Sequence, residues 1–145
     1  MDPVDAAFDA TPRRDFLPLG VRHRAAYDGP LAIAAGQTSS QPRTVDAMLR
    51  LLDVRPGQRV LDVGAGSGWT TALLAHLVGP TGSVLGAPYD RTLVSAEPDE
   101  LPHELVDPLA GDGVLVIPVA GTMLRVTNPG AVVGEHGRYR FVPLR

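Results

Sequence analysis

The sequence predicts an α/β domain built on a parallel sheet, and three observations carry the prediction. Residues 59–63, Arg-Val-Leu-Asp-Val, are short, β-branched and mostly apolar, the form of a strand buried in a parallel sheet. Glycines then alternate through a turn at Gly64, Gly66 and Gly68. Residues 69–78, from Trp69 to Val78, follow as a helix stopped by Gly79 and Pro80. Strand, glycine turn and helix in this order bring a nucleotide-like ligand onto bare backbone at a helix N-terminus. A tight glycine turn without a ligand is the alternative that the residues themselves leave open.

Composition bounds the rest. A chain of 145 residues is one domain with a single core. Net charge is −3 and the basic residues are scattered, so nucleic acid is not an expected partner. There is no cysteine, which excludes disulfides and thiolate metal sites and is compatible with a reducing, cytoplasmic location. Met1-Asp2-Pro3 is acidic where a signal peptide would be basic, and no apolar run approaches membrane-spanning length. With three Phe, three Tyr and one Trp, the core must rest on Val, Leu and Ala. His23, His76, His103 and His136 lack metal-ligand spacing, and no metal is expected.

Along the chain, Val4, Ala7 and Phe8 give a short N-terminal helix one apolar face before Pro12. The stretch from there to Ile33 reads as loop, with Tyr27 as its aromatic anchor. Residues 36–42, Gly-Gln-Thr-Ser-Ser-Gln-Pro, lead into a helix over 43–53 whose Val45, Met48, Leu49 and Leu52 recur on one face. Sequence chemistry favours Ser39 or Ser40 as the N-cap of that helix. Later elements are strands over 92–95, 113–119, 122–127 and 138–144, with a helix over 100–109.

Asp62-Val63-Gly64-Ala65-Gly66-Ser67-Gly68 resembles motif I of S-adenosylmethionine (SAM)-dependent methyltransferases. That resemblance implies that Gly64, Ala65, Gly66 and Gly68 let the backbone approach the methionine part of SAM. Asp62 would then contact the cofactor, or cap the turn. Pro12-Arg13-x-x-Phe16, then Tyr27, then Gly36-Gln37-Thr38-Ser39-Ser40-Gln41-Pro42, narrow the resemblance. With Pro88-Tyr89-Asp90-Arg91, Leu115 to Val119 and Phe141 to Leu144, their order is similar to that of the protein-L-isoaspartate O-methyltransferases. The family implies methyl transfer from SAM to isoaspartyl carboxylates in damaged proteins, which would be this chain's partners. It implies that Ser40 belongs to the active site and that Thr38 shares its loop. It also divides the single domain into a substrate-side segment, 1–42, and an α/β core, 43–145.

Two departures qualify the resemblance. The second strand of a SAM-binding sheet should end in an acid that holds the ribose hydroxyls, roughly 20 residues beyond the glycine loop. Residues 63–89 contain no Asp or Glu, and Gly86 stands where the acid is expected. A helix, a third strand and a further loop are missing as well, roughly 40 residues of an ordinary βαβ arrangement. Glu97 is the second departure: it either sets a charge near the substrate carboxylate or begins a solvated loop. The expected fold is therefore a reduced Rossmann-like three-layer sandwich of about five or six strands, lacking the region from the end of strand 2 through strand 3. Lost cover should expose the edge of residues 60–63 and faces of the helix after the glycine turn, favouring a homo-oligomer through 60–63 and 81–90. A methyltransferase that is weak or completed by a partner chain remains open beside a non-catalytic peptide-binding module and, third, a site for another small anion.

Overall fold

The computed structural model describes residues 1–85, 89–127 and 131–144. Helix α1 (Pro3–Ala10) begins on Asp2, whose Oδ1 accepts from the N–H groups of Val4 at 2.9 Å and Asp5 at 3.3 Å. Strands β1 (Leu31–Ala32) and β2 (Thr38–Ser39) form a small antiparallel pair ahead of α2 (Pro42–Leu52). The core follows as β3 (Arg59–Val63), α3 (Trp69–Val78), β4 (Ser83–Val84), β5 (Tyr89–Val94), α4 (His103–Val106), β6 (Leu109–Val119), β7 (Thr122–Thr127) and β8 (Ala131–Arg138). They make one six-stranded sheet in the order β4-β3-β5-β6-β7-β8. Pairing is parallel from β4 to β6 and antiparallel from β6 to β8.

The period of two along β6 divides the core. Val114 and Val116 point to one face, where they meet Val45, Met48 and Leu52 of α2 and Leu73 and Leu74 of α3. Leu115 and Ile117 point to the other face, against Val106, Leu109 and Val126. The first face is covered by three helices, the second by the single four-residue α4. A reduced α/β sandwich of the Rossmann-like methyltransferase type is what the sequence led us to expect.

Several local expectations need correction. The region read as loop contains short 3-10 turns at Arg13–Phe16 and Leu19–Arg24, and Tyr27 anchors nothing apolar, being 49% exposed beneath Arg24. The N-cap of α2 is Gln41, not Ser39 or Ser40, because Pro42 at the first helical turn needs no N–H partner. The helix expected over 100–109 is only α4, since Leu109 already pairs with Tyr89 in the sheet. The last strand lies at 131–138, and 139–144 is an extended tail held through a bridge between Glu97 and Pro143.

Cover around the shortened region also differs in part. Helix α3 is not exposed: Leu73, Leu74, Leu77 and Val78 are buried, and α1 packs on it through Phe8 against Trp69. Among the described residues, the edge of β3 is paired at Arg59 and Val60, with Ser83 and Val84. Leu85 closes this stub, donating to the carbonyl of Val60 at 2.6 Å while its side chain is 66% exposed. Gly86 and Pro88, on which part of the sequence argument rests, lie outside the described residues.

Candidate functional site

The glycine turn leaves the C-terminal end of β3 and enters α3 through three left-handed residues, Gly64 (φ 81°), Gly66 (φ 55°) and Gly68 (φ 90°). A β-carbon at Gly64 would meet the carbonyl of Ser95 at 3.3 Å, and one at Gly66 would meet Ile33 at 3.3 Å. Bare backbone is thus required both by conformation and by the approach of two neighbours. A cavity of about 400 Å³ opens over this turn. Gly64, Ala65 and Gly66 form one wall, Gln37, Thr38 and Ser40 a second, and Ser95, Ala96 and the tail at 142–144 a third.

A second cavity of about 440 Å³ adjoins it, lined by Thr38, Ser40, Ser95 and Val142 together with Arg43, Arg138 and Arg140. Thr38, Ser40, Ser95 and Val142 line both cavities and so form the boundary between them. The Ser40 hydroxyl makes no hydrogen bond among the described residues, leaving it free to serve a ligand at that boundary. Of the residues singled out in the sequence, Thr38, Ser40, Gly64, Ala65 and Gly66 line the first cavity, whereas Asp62 and Gly68 do not.

Asp62 lies beneath the turn. Its Oδ2 accepts from the hydroxyls of Thr70 at 3.0 Å and Thr71 at 2.7 Å, tying the first turn of α3 to the end of β3. Its Oδ1 is shielded from solvent and has no partner among the described residues. Burial raises the pKa of this carboxyl, and the two threonine hydrogen bonds oppose the shift. The position near a helix N-terminus also favours the charged form.

Two residues that hold the site were not assigned a role from sequence. Arg13 is 5% exposed, and its guanidinium makes five hydrogen bonds. Nε donates to Ser39 Oγ at 3.2 Å, Nη1 to the carbonyl of Tyr27 at 2.9 Å, and Nη2 to those of Gly29, Ser39 and Ser40 at 2.9, 3.0 and 3.1 Å. It also sits 5.6 Å from the Trp69 ring centroid, over a side chain that lines the first cavity. Burial lowers the Arg13 pKa and Asp28 opposes this. The signal was present in Pro12-Arg13-x-x-Phe16, but nothing local showed that the arginine would turn inward.

Glu97 is the other. It lines neither of these cavities and is half-buried. Its Oε1 accepts from the N–H of Gly121 and its Oε2 from that of Phe141 at 3.5 Å. Its backbone accepts from Leu144 at 3.1 Å and donates to Val142 at 2.7 Å. Glu97 therefore pins the tail that completes both cavities. No group of described residues could hold a metal ion.

The residues fit one end of SAM and not the other. The cradle at Gly64 and Gly66 suits a small polar chain lying against backbone, and the cavity size falls in the range of ligand sites. At the ribose end, β4 stops at Val84, and among the described residues no carboxylate lines either cavity.

Comparison with known proteins gives the family and the place of the shortening. The family profile described as protein-L-isoaspartate(D-aspartate) O-methyltransferase (PCMT) matches in two segments, residues 1–87 and 86–144. A protein-L-isoaspartate O-methyltransferase of Methanopyrus kandleri is 35% identical over 186 positions, covering 97% of this chain and 82% of the relative. One from Serratia proteamaculans is 33% identical over 177 positions, covering 95% of this chain and 85% of the relative. Both alignments run longer than the 145 residues present, and the profile breaks at 86–87, which places the missing piece between β4 and β5. A crystal structure of a putative enzyme of this class from Plasmodium falciparum, in complex with S-adenosyl-L-homocysteine, superposes with a TM-score of 0.84 at 22% identity, over 100% of this chain and 91% of that one. The chain belongs to the protein-L-isoaspartate O-methyltransferase family, a SAM-dependent family, in a form shortened between β4 and β5.

Proposed function

We propose that this chain methylates isoaspartyl carboxylates in damaged proteins at the boundary between its two cavities, with SAM held weakly. The observation that carries this is the shared lining: Thr38, Ser40 and Ser95 face both the glycine-turn cavity and its neighbour. When bound, SAM supplies an electrophilic sulfonium methyl. Gly64, Ala65 and Gly66 would hold its amino-acid end by close backbone approach. Gly68 sets the turn into α3, and Asp62 fixes that turn from below. A carboxylate is already a nucleophile at neutral pH, so the chain's task is to orient it and exclude water. The free hydroxyl of Ser40, with Thr38 beside it, would hold one carboxylate oxygen and leave the other to react. No described His or acid lines the boundary, so Ser40 acts as a donor and not as an activated nucleophile. Segment 1–42 is the substrate side and 43–145 the core of one domain, and the cysteine-free composition suits the cytoplasm.

The edge of β3 beyond Val60, unpaired among the described residues, and the exposed Leu85 support a homo-oligomer, in which a second copy would cover the edge. Light scattering at micromolar concentration is expected to give more than a monomer mass; a clean monomer removes the partner-completed enzyme. A non-catalytic peptide-binding module is the second reading, favoured by the missing ribose acid. Labelled methyl transfer from SAM to a matched isoaspartyl and aspartyl peptide pair separates the two. Transfer to the isoaspartyl peptide alone is expected, and peptide binding without transfer would establish the second reading.

A further inference from the structure

We propose that the second cavity selects isoaspartyl peptides bearing another carboxylate beside the modified residue, with Arg138 and Arg140 as the selecting charges. The proposal rests on the functional reading above, because it takes the cavity boundary as the seat of the reacting carboxylate. Among the described residues, three cations line this cavity, Arg43, Arg138 and Arg140, and no Asp or Glu does.

Their charges are not equally available. Arg43 is paired with Asp28, Nη2 to Oδ2 at 3.1 Å. Among the described residues, Arg138 donates from its side chain to the neutral Thr122 hydroxyl, at 3.4 Å. Glu97 lies on the other side of Gly121 from Arg138; its two oxygens accept from the N–H groups of Gly121 and Phe141, and it forms no ion pair with Arg138. Arg140 has no hydrogen bond or ion pair among the described residues. Among the described residues neither arginine has an ion-pair partner, so both bring charge to a cavity that opens beside Ser40, Arg140 the more freely of the two.

They are misplaced for the reacting group. Arg138 and Arg140 line only the second cavity, whereas the boundary is built of Thr38, Ser40, Ser95 and Val142. A guanidinium on the reacting carboxylate would also blunt its attack by pairing with both oxygens. A second carboxylate, from a neighbouring acidic side chain or a free peptide C-terminus, is the chemistry that these arginines fit.

The test uses the full chain and one isoaspartyl hexapeptide, acetylated and amidated, with Glu, Gln or Lys next to the isoaspartate. A fourth peptide carries Gln and a free C-terminus. Peptide Kd is measured by calorimetry without SAM, and labelled methyl transfer is measured separately. The Glu peptide is expected to bind about fivefold more tightly than the Gln peptide, with Lys weaker still and the difference shrinking in high salt. The fourth peptide shows whether a terminal carboxylate substitutes for the side chain. In the double variant Arg138→Gln, Arg140→Gln the Glu and Gln peptides should bind alike. Equal binding by the unaltered chain, no detectable binding of the Glu peptide, or a preference that survives the double variant each overturns the proposal. A charge preference in binding without methyl transfer upholds it and overturns the functional reading instead.

Discussion

The two sides of the first cavity bury opposite charges and settle them differently. On the substrate side, Arg13 is enclosed among residues 27–40 with all three guanidinium nitrogens donating, mostly to main-chain carbonyls. On the cofactor side, Asp62 is satisfied at Oδ2 alone and leaves Oδ1 without a partner. The same contrast holds at larger scale: Trp69 is braced by Phe8 and Thr11 beneath Arg13, whereas the strand beside the glycine turn is a two-residue stub. The shortening has therefore fallen on one half of the site. What remains intact is the half that carries Thr38 and Ser40.

The largest effect should come from breaking the better-supported side. Arg13→Met removes five hydrogen bonds and strands the carbonyls of Tyr27, Gly29, Ser39 and Ser40. A loss of about 3 kcal/mol in denaturant stability is expected, with peptide binding abolished. If stability and peptide binding both survive, the loop is held by the β1–β2 pair and the contrast drawn above is false.

Much of this was legible in the sequence, for physical reasons. Glycines at 64, 66 and 68 and the apolar spacing of α2 and α3 are local signals, and the elements they announce are the ones observed. Arg13 and Glu97 were opaque because their partners lie 14 to 44 residues away, and neither was given its role. The end of the chain misled for a related reason: 139–144 is extended like a strand, but its partner is the short stretch at Glu97. Ser39 and Ser40 are good capping residues in isolation, yet Pro42 moved the helix start and Arg13 claimed Ser39.

The next effect measures the weaker side. SAM should bind at least tenfold less tightly than it does to a full-length relative assayed alongside. One lost hydrogen bond between a charged group and the ribose hydroxyls accounts for about 1.5–3 kcal/mol. Calorimetry on the isolated chain decides it, and micromolar binding by a monomer would mean that residues around 85–89 supply the missing contact.

A smaller effect is expected at the boundary itself. Ser40→Ala should lower kcat/KM for an isoaspartyl peptide about tenfold, the equivalent of one hydrogen bond. Stability should change by less than about 0.5 kcal/mol, because Ser40 caps nothing. A stability loss with activity per folded molecule unchanged would return Ser40 to a structural role.

The smallest effect tests the orphaned oxygen. The folded-state pKa of Asp62 is raised by burial, so the folded chain holds this proton more tightly than the unfolded chain does. Between the ordinary carboxylate range and the raised value, stability therefore falls as pH rises, and the penalty is fully present at neutral pH. Asp62→Asn removes the charge while keeping an oxygen for the Thr70 and Thr71 hydroxyls. The variant should be more stable than the unaltered chain at pH 7, by about 1 kcal/mol or less once the weaker threonine bonds are counted. That advantage should shrink as pH is lowered into the carboxylate range, where Asp62 becomes neutral in both states. Urea midpoints taken at several pH values would show it. A variant that is less stable at pH 7, with a gap indifferent to pH, would mean that the α3 N-terminus and the two threonines already balance the charge. The asymmetry between Arg13 and Asp62 would then be one of geometry and not of energy.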